Sequence, residues 1–405
     1  MSARDGAPDG VVIVGGGLAA QRCAEGLRTR GYGGRIRIVC AEREHPYDRP
    51  PLSKDVAAGG AAYFRDAGWY TGNAVELLLG CRASGLDPRA RRVDLDHGGT
   101  LRYEDLVIAT GAAPRSLPLL ARYSNAFALR TLADALRLRA ELEGGARLVI
   151  VGAGFIGQEV AATARALGVD VTIIEALELP LAGVLGPDFG RWVIATHRAE
   201  GVRVLTGARL ESARGNGRVE ELRLAGGEVI GCDAVLVGVG VDPAASWLAG
   251  SGLDPAGIRT DAAGRTAIPH IYAAGDVARP LDPRLGDHVR TEHWDAASRQ
   301  GAAVAAAILG EEPRAFGLPS FWSDQYGVRI QYVGHAAAAD RVEASGRPHD
   351  RDFHLLYRRA GRPVAALTVD RPRELAAMRR LIEGAIPAGE EPIDRSEMAT
   401  KEMIR

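Results

Sequence analysis

Val11-Val12-Ile13-Val14-Gly15-Gly16-Gly17-Leu18-Ala19-Ala20 is the first patterned stretch of the chain, and Leu148-Val149-Ile150-Val151-Gly152-Ala153-Gly154-Phe155-Ile156-Gly157 repeats it. Each begins with four apolar residues, the signature of a strand buried on both faces, and runs through a glycine turn into a helical pattern. After the first turn the helix is expected to reach about Arg30, with a second strand over residues 35–40 and Glu42 just beyond it. After the second, a helix over about residues 158–166 leads to a strand over residues 169–174 and then Glu175. Two βαβ units follow.

The spelling has a chemical reason. The first glycine (Gly15, Gly152) permits the tight turn, and the second (Gly17, Gly154) lets the backbone approach a pyrophosphate. The third small residue (Ala20, Gly157) lets helix pack on strand, while Leu18, Ala19, Phe155 and Ile156 begin a helix whose N–H groups face the phosphates. An acid about 20 residues on, Glu42 or Glu175, accepts hydrogen bonds from a ribose. Strand, turn, helix and acid agree twice, so two dinucleotides are expected, FAD and NAD(P).

With 405 residues the chain exceeds one core and calls for two or three domains. It is 46% apolar and 25% charged, a folded composition, and its net charge of -1 argues against a general grip on nucleic acid or acidic membranes. No stretch approaches the ~18 apolar residues of a membrane span, and the start MSARDGAPDG lacks a basic and apolar leader, so the expected compartment is the cytoplasm. Cys23, Cys40, Cys81 and Cys232 form neither CxxC nor metal-ligand spacing and are expected to be buried. No metal is expected.

Two further strand-to-turn stretches, Leu106-Val107-Ile108-Ala109-Thr110-Gly111 and Ile271-Tyr272-Ala273-Ala274-Gly275-Asp276, stand in fixed order around the glycine loops. With them the chain resembles, over nearly its whole length, the FAD-dependent pyridine-nucleotide reductase family. Pro46-Tyr47-Asp48-Arg49-Pro50-Pro51-Leu52-Ser53-Lys54 looks like the PYxRPPLSK segment of its oxygenase-coupled NADH:ferredoxin reductases. The resemblance implies two Rossmann-like dinucleotide-binding domains of the glutathione-reductase-like α/β class plus a C-terminal α/β interface domain. The FAD domain is expected over residues 1–112 and 236–318, the NAD domain over 113–235 and the interface domain over 319–405, with a polar tail from residue 390.

Residue by residue, the resemblance places Ala83, Ala109, Thr110, Gly111, Arg130, Gly275 and Asp276 along FAD, and Arg49 and Lys54 near its flavin. It sets His293 and Trp294, in Glu292-His293-Trp294, against the isoalloxazine ring, with Trp322 in the Phe321-Trp322-Ser323-Asp324-Gln325 marker of the interface domain. Gly238, Gly240 and Asp242 are implied to line the nicotinamide, and Glu159 to pair with Lys54. One departure stands out: counted back from Pro50-Pro51-Leu52-Ser53-Lys54, the family's ribose-binding acid falls on Ala41, and Glu42 serves only with a shift of one residue.

The glutathione-reductase-like branches carry a CxxxxC pair facing the flavin, and no cysteine lies between Cys40 and Cys81 here. Electrons from reduced flavin must therefore go straight to an external acceptor. Glu175 and Glu178, with no base beside them, favour NADH over NADPH. The implied activity is NADH-dependent reduction of an iron–sulfur ferredoxin that supplies a haem monooxygenase or a Rieske dioxygenase. The alternatives are reduction of rubredoxin or another small acceptor, and a non-turnover FAD/NAD-binding signalling protein. Catalytic roles fall to Lys54 and Glu159. Transient electrostatic docking by a monomer or weak homodimer is expected, with Arg290, Arg299, Arg314 and Arg329 as candidate basic residues.

Overall fold

The computed structural model describes residues 10–55, 60–312 and 317–385. Val11–Val14 is the centre of a five-stranded parallel sheet, between Ile36–Cys40 and Asp105–Ile108, with Val75–Leu79 and Ile271–Ala273 at the edges. Arg147–Val151 occupies the same place in a second parallel sheet, between Asp170–Ile174 and Ala234–Val237, with Arg203–Leu205 and Ala126–Phe127 outside them. Cores form on both faces of each sheet, which explains the unbroken Val/Ile/Leu runs of the central strands.

On the first sheet the helix Leu18–Thr29 lies against Trp294–Ile308. A Cβ on Gly301 would stand 2.3 Å from the Ala19 carbonyl oxygen, so only glycine permits this approach. The helix after the second glycine loop spans Phe155–Ala166, three residues earlier than its apolar periodicity indicated, because Gly154 is its N-cap and the end of the loop is already helical. Between the sheets the chain crosses twice, and the two crossings, Ala112–Pro114 and Val241–Pro243, pair as antiparallel strands.

The C-terminal part is an antiparallel sheet in the order Ser320–Gln325, Val328–Gly334, Arg362–Val369, Asp352–Arg359, Arg341–Arg347. The helix Pro372–Gly384 covers one face through Leu375, Met378 and Ile382. The opposite face seats Ile330, Phe353, Leu355 and Leu367 on Leu185, Phe189 and Val193 of the second unit. Asp352–Arg359 and Arg362–Val369 are strands because the apolar runs at 353–357 and 364–369 seat them on the core. The polar tail from residue 390 lies outside the described residues. Among those described, no helix is long and apolar enough to cross a membrane.

Candidate active site

Both glycine-loop helices begin without a side-chain cap and without an acid in the first turn. Their leading N–H groups are thus left for a ligand, the arrangement that receives phosphate. Gly15 has φ +125° and a Cβ there would meet the Ala109 carbonyl at 2.1 Å; Gly152 has φ +102° and would meet that of Gly238 at 2.3 Å. The stretch from Ala109 to Gly111 and the Gly238 turn are therefore the back walls of the two loops. Gly17 instead has nothing within 4 Å of where a Cβ would stand, which leaves room for a pyrophosphate. Gly157 must stay small because a Cβ would lie 2.5 Å from the Gly152 carbonyl, while Ala20 fits at zero exposure in the first unit. The buried Thr110 hydroxyl has no hydrogen-bond partner among the described residues, and a bound dinucleotide would supply one.

Two ion pairs, linked arginine to arginine, cross the first nucleotide site. Asp276, placed by the Gly275 turn whose amide donates to Gln300 Oε1 at 2.7 Å, pairs with Arg130 Nη2 at 3.3 Å. Arg49 Nη1 donates to the Arg130 carbonyl at 2.6 Å and its Nη2 meets Glu42 Oε1 at 2.8 Å. Burial works against the Arg49 charge, but Glu42 and Tyr47 outweigh it and hold its pKa above the ordinary value. Arg130 is pulled below its ordinary value by burial, with Asp276 opposing. The second oxygen of Glu42 accepts from the Tyr47 hydroxyl at 2.5 Å. Both oxygens of Glu42 are thus engaged within the chain, one donor to each, and each keeps a lone pair that a ribose hydroxyl could use.

On the other unit Glu175 uses both oxygens on backbone: Oε2 accepts from the Ala153 amide and Oε1 from that of Leu177, each at 2.8 Å. The acid expected at a ribose also fixes the glycine loop. Gly240 lies beside Arg115, and Asp242, exposed, is held by Arg115 at 2.9 Å on the paired crossings.

The two units meet at Lys54 and Glu159. Pro51–Lys54, a single helical turn of the first unit, packs on Phe155–Ala166 of the second, where the Thr163 hydroxyl donates to the Ser53 carbonyl at 3.0 Å. Lys54 Nζ and Ser323 Oγ both donate to Glu159 Oε1, the latter at 2.6 Å, and Ser53 Oγ donates to Oε2 at 2.5 Å. Glu159 is only 5% exposed, so these donors replace water around a buried carboxylate. Lys54 also lies 6.0 Å from the Trp322 ring, which meets Trp294 edge-on at 6.0 Å. Trp294 Nε1 donates to Asp48 Oδ1 at 2.8 Å. Phe321 packs between Phe155 and His293, at 4.7 and 4.9 Å. Burial pushes His293 down to about 4, so it is a neutral imidazole at neutral pH.

Ala83 lies apart from this cluster, in the small antiparallel strand Ala83–Asp87 packed on the first sheet's core. The candidate docking arginines are not free charges: Arg290 pairs with Glu292, Arg299 with Asp295 and Arg329 with Asp324. Arg314 lies outside the described residues. All four cysteines are buried and free, and burial raises the thiols of Cys23 and Cys40 to about 12, so they stay protonated. Cys81, Asp96 and His97 come together, but one nitrogen, His97 Nδ1, faces both neighbours, at 3.8 and 3.1 Å, and the group satisfies itself by hydrogen bonding.

Ser53, Gln158, Ser323 and Gln325 were not singled out in the sequence. Their signal was the alternation Phe321, Ser323, Gln325 along one strand, facing Phe155, Gln158 and Glu159 along one helix.

Residues 9–301 match the pyridine nucleotide-disulphide oxidoreductase family, and residues 320–404 match the family described as reductase C-terminal. The anthranilate 1,2-dioxygenase system ferredoxin–NAD(+) reductase component of Burkholderia cepacia is 41% identical over 395 residues, 94% of this chain and 95% of that one. Putidaredoxin reductase of Pseudomonas putida is 34% identical over 410 residues, 98% and 97% of the two chains. The crystal structure of the covalent putidaredoxin reductase–putidaredoxin complex superposes with a TM-score of 0.90 at 33% identity, over 99% of this chain and 100% of that one. The chain belongs to the pyridine nucleotide-disulphide oxidoreductase family and carries its reductase C-terminal domain. It is an FAD-binding, NAD-linked oxidoreductase.

Proposed function

We propose that the protein takes a hydride from NADH onto bound FAD and delivers the electrons singly to an iron–sulfur ferredoxin that feeds an oxygenase. The observation that carries this is the Lys54–Glu159 pair, its carboxylate buried where the two nucleotide-binding units and the C-terminal strand converge, with no cysteine pair at hand to relay electrons. Relatives that are 34% and 41% identical are a putidaredoxin reductase and a dioxygenase-system ferredoxin–NAD(+) reductase component, which supports the same acceptor class. A cytoplasmic setting fits this chemistry.

Division of labour follows the sheets. Residues 1–112 and 236–318 hold FAD, 113–235 hold NADH and 319–405 close the site. In support, the first sheet draws its strands from Val11–Val14 through Asp105–Ile108 and from Ile271–Ala273, and the second from Ala126–Phe127 through Ala234–Val237, whose last two residues run past the 235 boundary. The loops at Gly15 and Gly152 hold the two pyrophosphates on helix N-termini. Bound FAD supplies the conversion between two-electron and one-electron chemistry. Lys54, fixed by Glu159, presents an ammonium where negative charge develops on reduction. Trp294, Trp322 and Phe321 wall the centre against water. Glu175 accepts from a ribose hydroxyl and repels a 2′-phosphate, which selects NADH.

Anaerobic stopped-flow mixing tests this reading. NADH should bleach the bound chromophore rapidly, and a [2Fe–2S] ferredoxin should then recolour it. Failure to pass electrons to any iron–sulfur protein defeats the assignment.

A further inference from the structure

The Ser320–Gln325 strand belongs to the C-terminal sheet, yet two of its side chains finish in the reaction centre. Ser323 has no solvent exposure, and its hydroxyl donates to Glu159 Oε1, the same oxygen that receives Lys54. Gln325, 5% exposed, bridges behind it: its Nε2 donates to Ser323 Oγ and to Gln158 Oε1, each at 3.0 Å. Gln158 in turn donates to the Ala153 carbonyl at 2.7 Å, inside the second glycine loop. An unbroken buried path of hydrogen bonds therefore runs from the nucleotide loop through the C-terminal strand to the Lys54–Glu159 pair.

The path matters because Lys54 has solvent on one side. It lines a cleft of about 610 Å³ together with Asp55, Thr163, Arg165, Glu200 and Asp324. A flexible ammonium at the edge of such a cleft swings into water unless its carboxylate partner is held in one orientation. Ser53 fixes one oxygen of Glu159, and among the described residues only Ser323 fixes the oxygen that Lys54 uses.

We propose that Ser323, backed by Gln325, is a positioning residue for Lys54, so that the C-terminal sheet completes the hydride-accepting site in addition to covering it. This rests on the role given to Lys54 above. Ser323 acts through Glu159.

The chain has two lysines, Lys54 and Lys401, which makes the test selective. In protein labelled with ¹³C-lysine, Ser323→Ala should shift the Lys54 side-chain resonance, with or without FAD. In the holoenzyme the limiting rate of reduction at saturating NADH should fall about tenfold, the size of one hydrogen bond to a charged group. NADH affinity and FAD retention should change less than twofold. Ser320→Ala is the control: it removes a hydrogen bond of 2.7 Å from the same strand to Asp295, away from Glu159, and should alter neither readout. An unmoved Lys54 resonance, or Ser320→Ala slowing reduction as much as Ser323→Ala, overturns the proposal. Lys54→Ala with an undiminished rate overturns the reading beneath it. A slow Lys54→Ala beside a normal Ser323→Ala overturns this inference alone.

Discussion

Glu175 and Ala153 are joined at 2.8 Å, a carboxylate oxygen at the end of one strand accepting the amide in the middle of a glycine loop. The residue expected to choose between nicotinamides therefore also holds the loop that grips the pyrophosphate. NADH should be preferred to NADPH in steady-state kinetics. Glu175→Arg should narrow or reverse the preference, mainly by raising the KM for NADH, since the loop loses its anchor while the 2′-phosphate gains a partner. A parent enzyme that prefers NADPH would refute this account of the site.

The glycines of the first loop should separate by mutation. Gly15→Ala puts a Cβ 2.1 Å from the Ala109 carbonyl at φ +125°, and should cost the fold several kcal/mol, about what backbone strain and overpacking together impose. Gly17→Ala meets no atom within 4 Å and has φ -93°, so its apoprotein should melt near the parent temperature but retain little FAD. Thermal melts of apoprotein and flavin content on purification measure the two effects.

Lys54→Ala should slow flavin reduction more than it weakens FAD retention. It also leaves Glu159 buried without its cation, so a loss of stability should accompany the kinetic defect. Stopped-flow reduction read beside thermal melts separates the two, and an unchanged reductive half-reaction would remove Lys54 from the catalytic residues.

Acid should weaken the fold through buried imidazoles. Burial lowers His197 and His293 from 6.5 to about 4. Both stay neutral in the folded protein, whereas the unfolded chain takes up protons below about pH 6.5. Stability from this source is thus complete above pH 6.5 and is lost as pH falls toward 4, on the order of 3 kcal/mol for each residue. Denaturant melts of apoprotein between pH 7.5 and 4.5 should show the decline, and His197→Gln should make it shallower.

The two nucleotide units were legible because backbone geometry dictates their spelling: a turn at φ +125° or +102° against a carbonyl admits glycine and little else. The Lys54–Glu159 pairing came from resemblance, since nothing local to either residue reports a partner that distant in the chain. Ser323 was hidden for a related reason. In sequence it reads as one polar residue between an aromatic and an acid, and its meaning comes from strand alternation laid against a helix from another part of the chain. The charges were legible only as candidates: the sequence does not report that Arg290, Arg299 and Arg329 each sit beside an acid, because Glu292, Asp295 and Asp324 meet them only through the fold.

The paired crossings Ala112–Pro114 and Val241–Pro243 bring the entrance and exit of the intervening segment to within ~5 Å of one another. A unit fastened at adjoining ends resembles a cartridge on a single mount. Exchange for another nucleotide-binding cartridge needs that seam to match together with the faces that meet Pro51–Lys54 and the C-terminal sheet, so a transplanted insert that keeps those faces should alter coenzyme choice as well as editing its lining does.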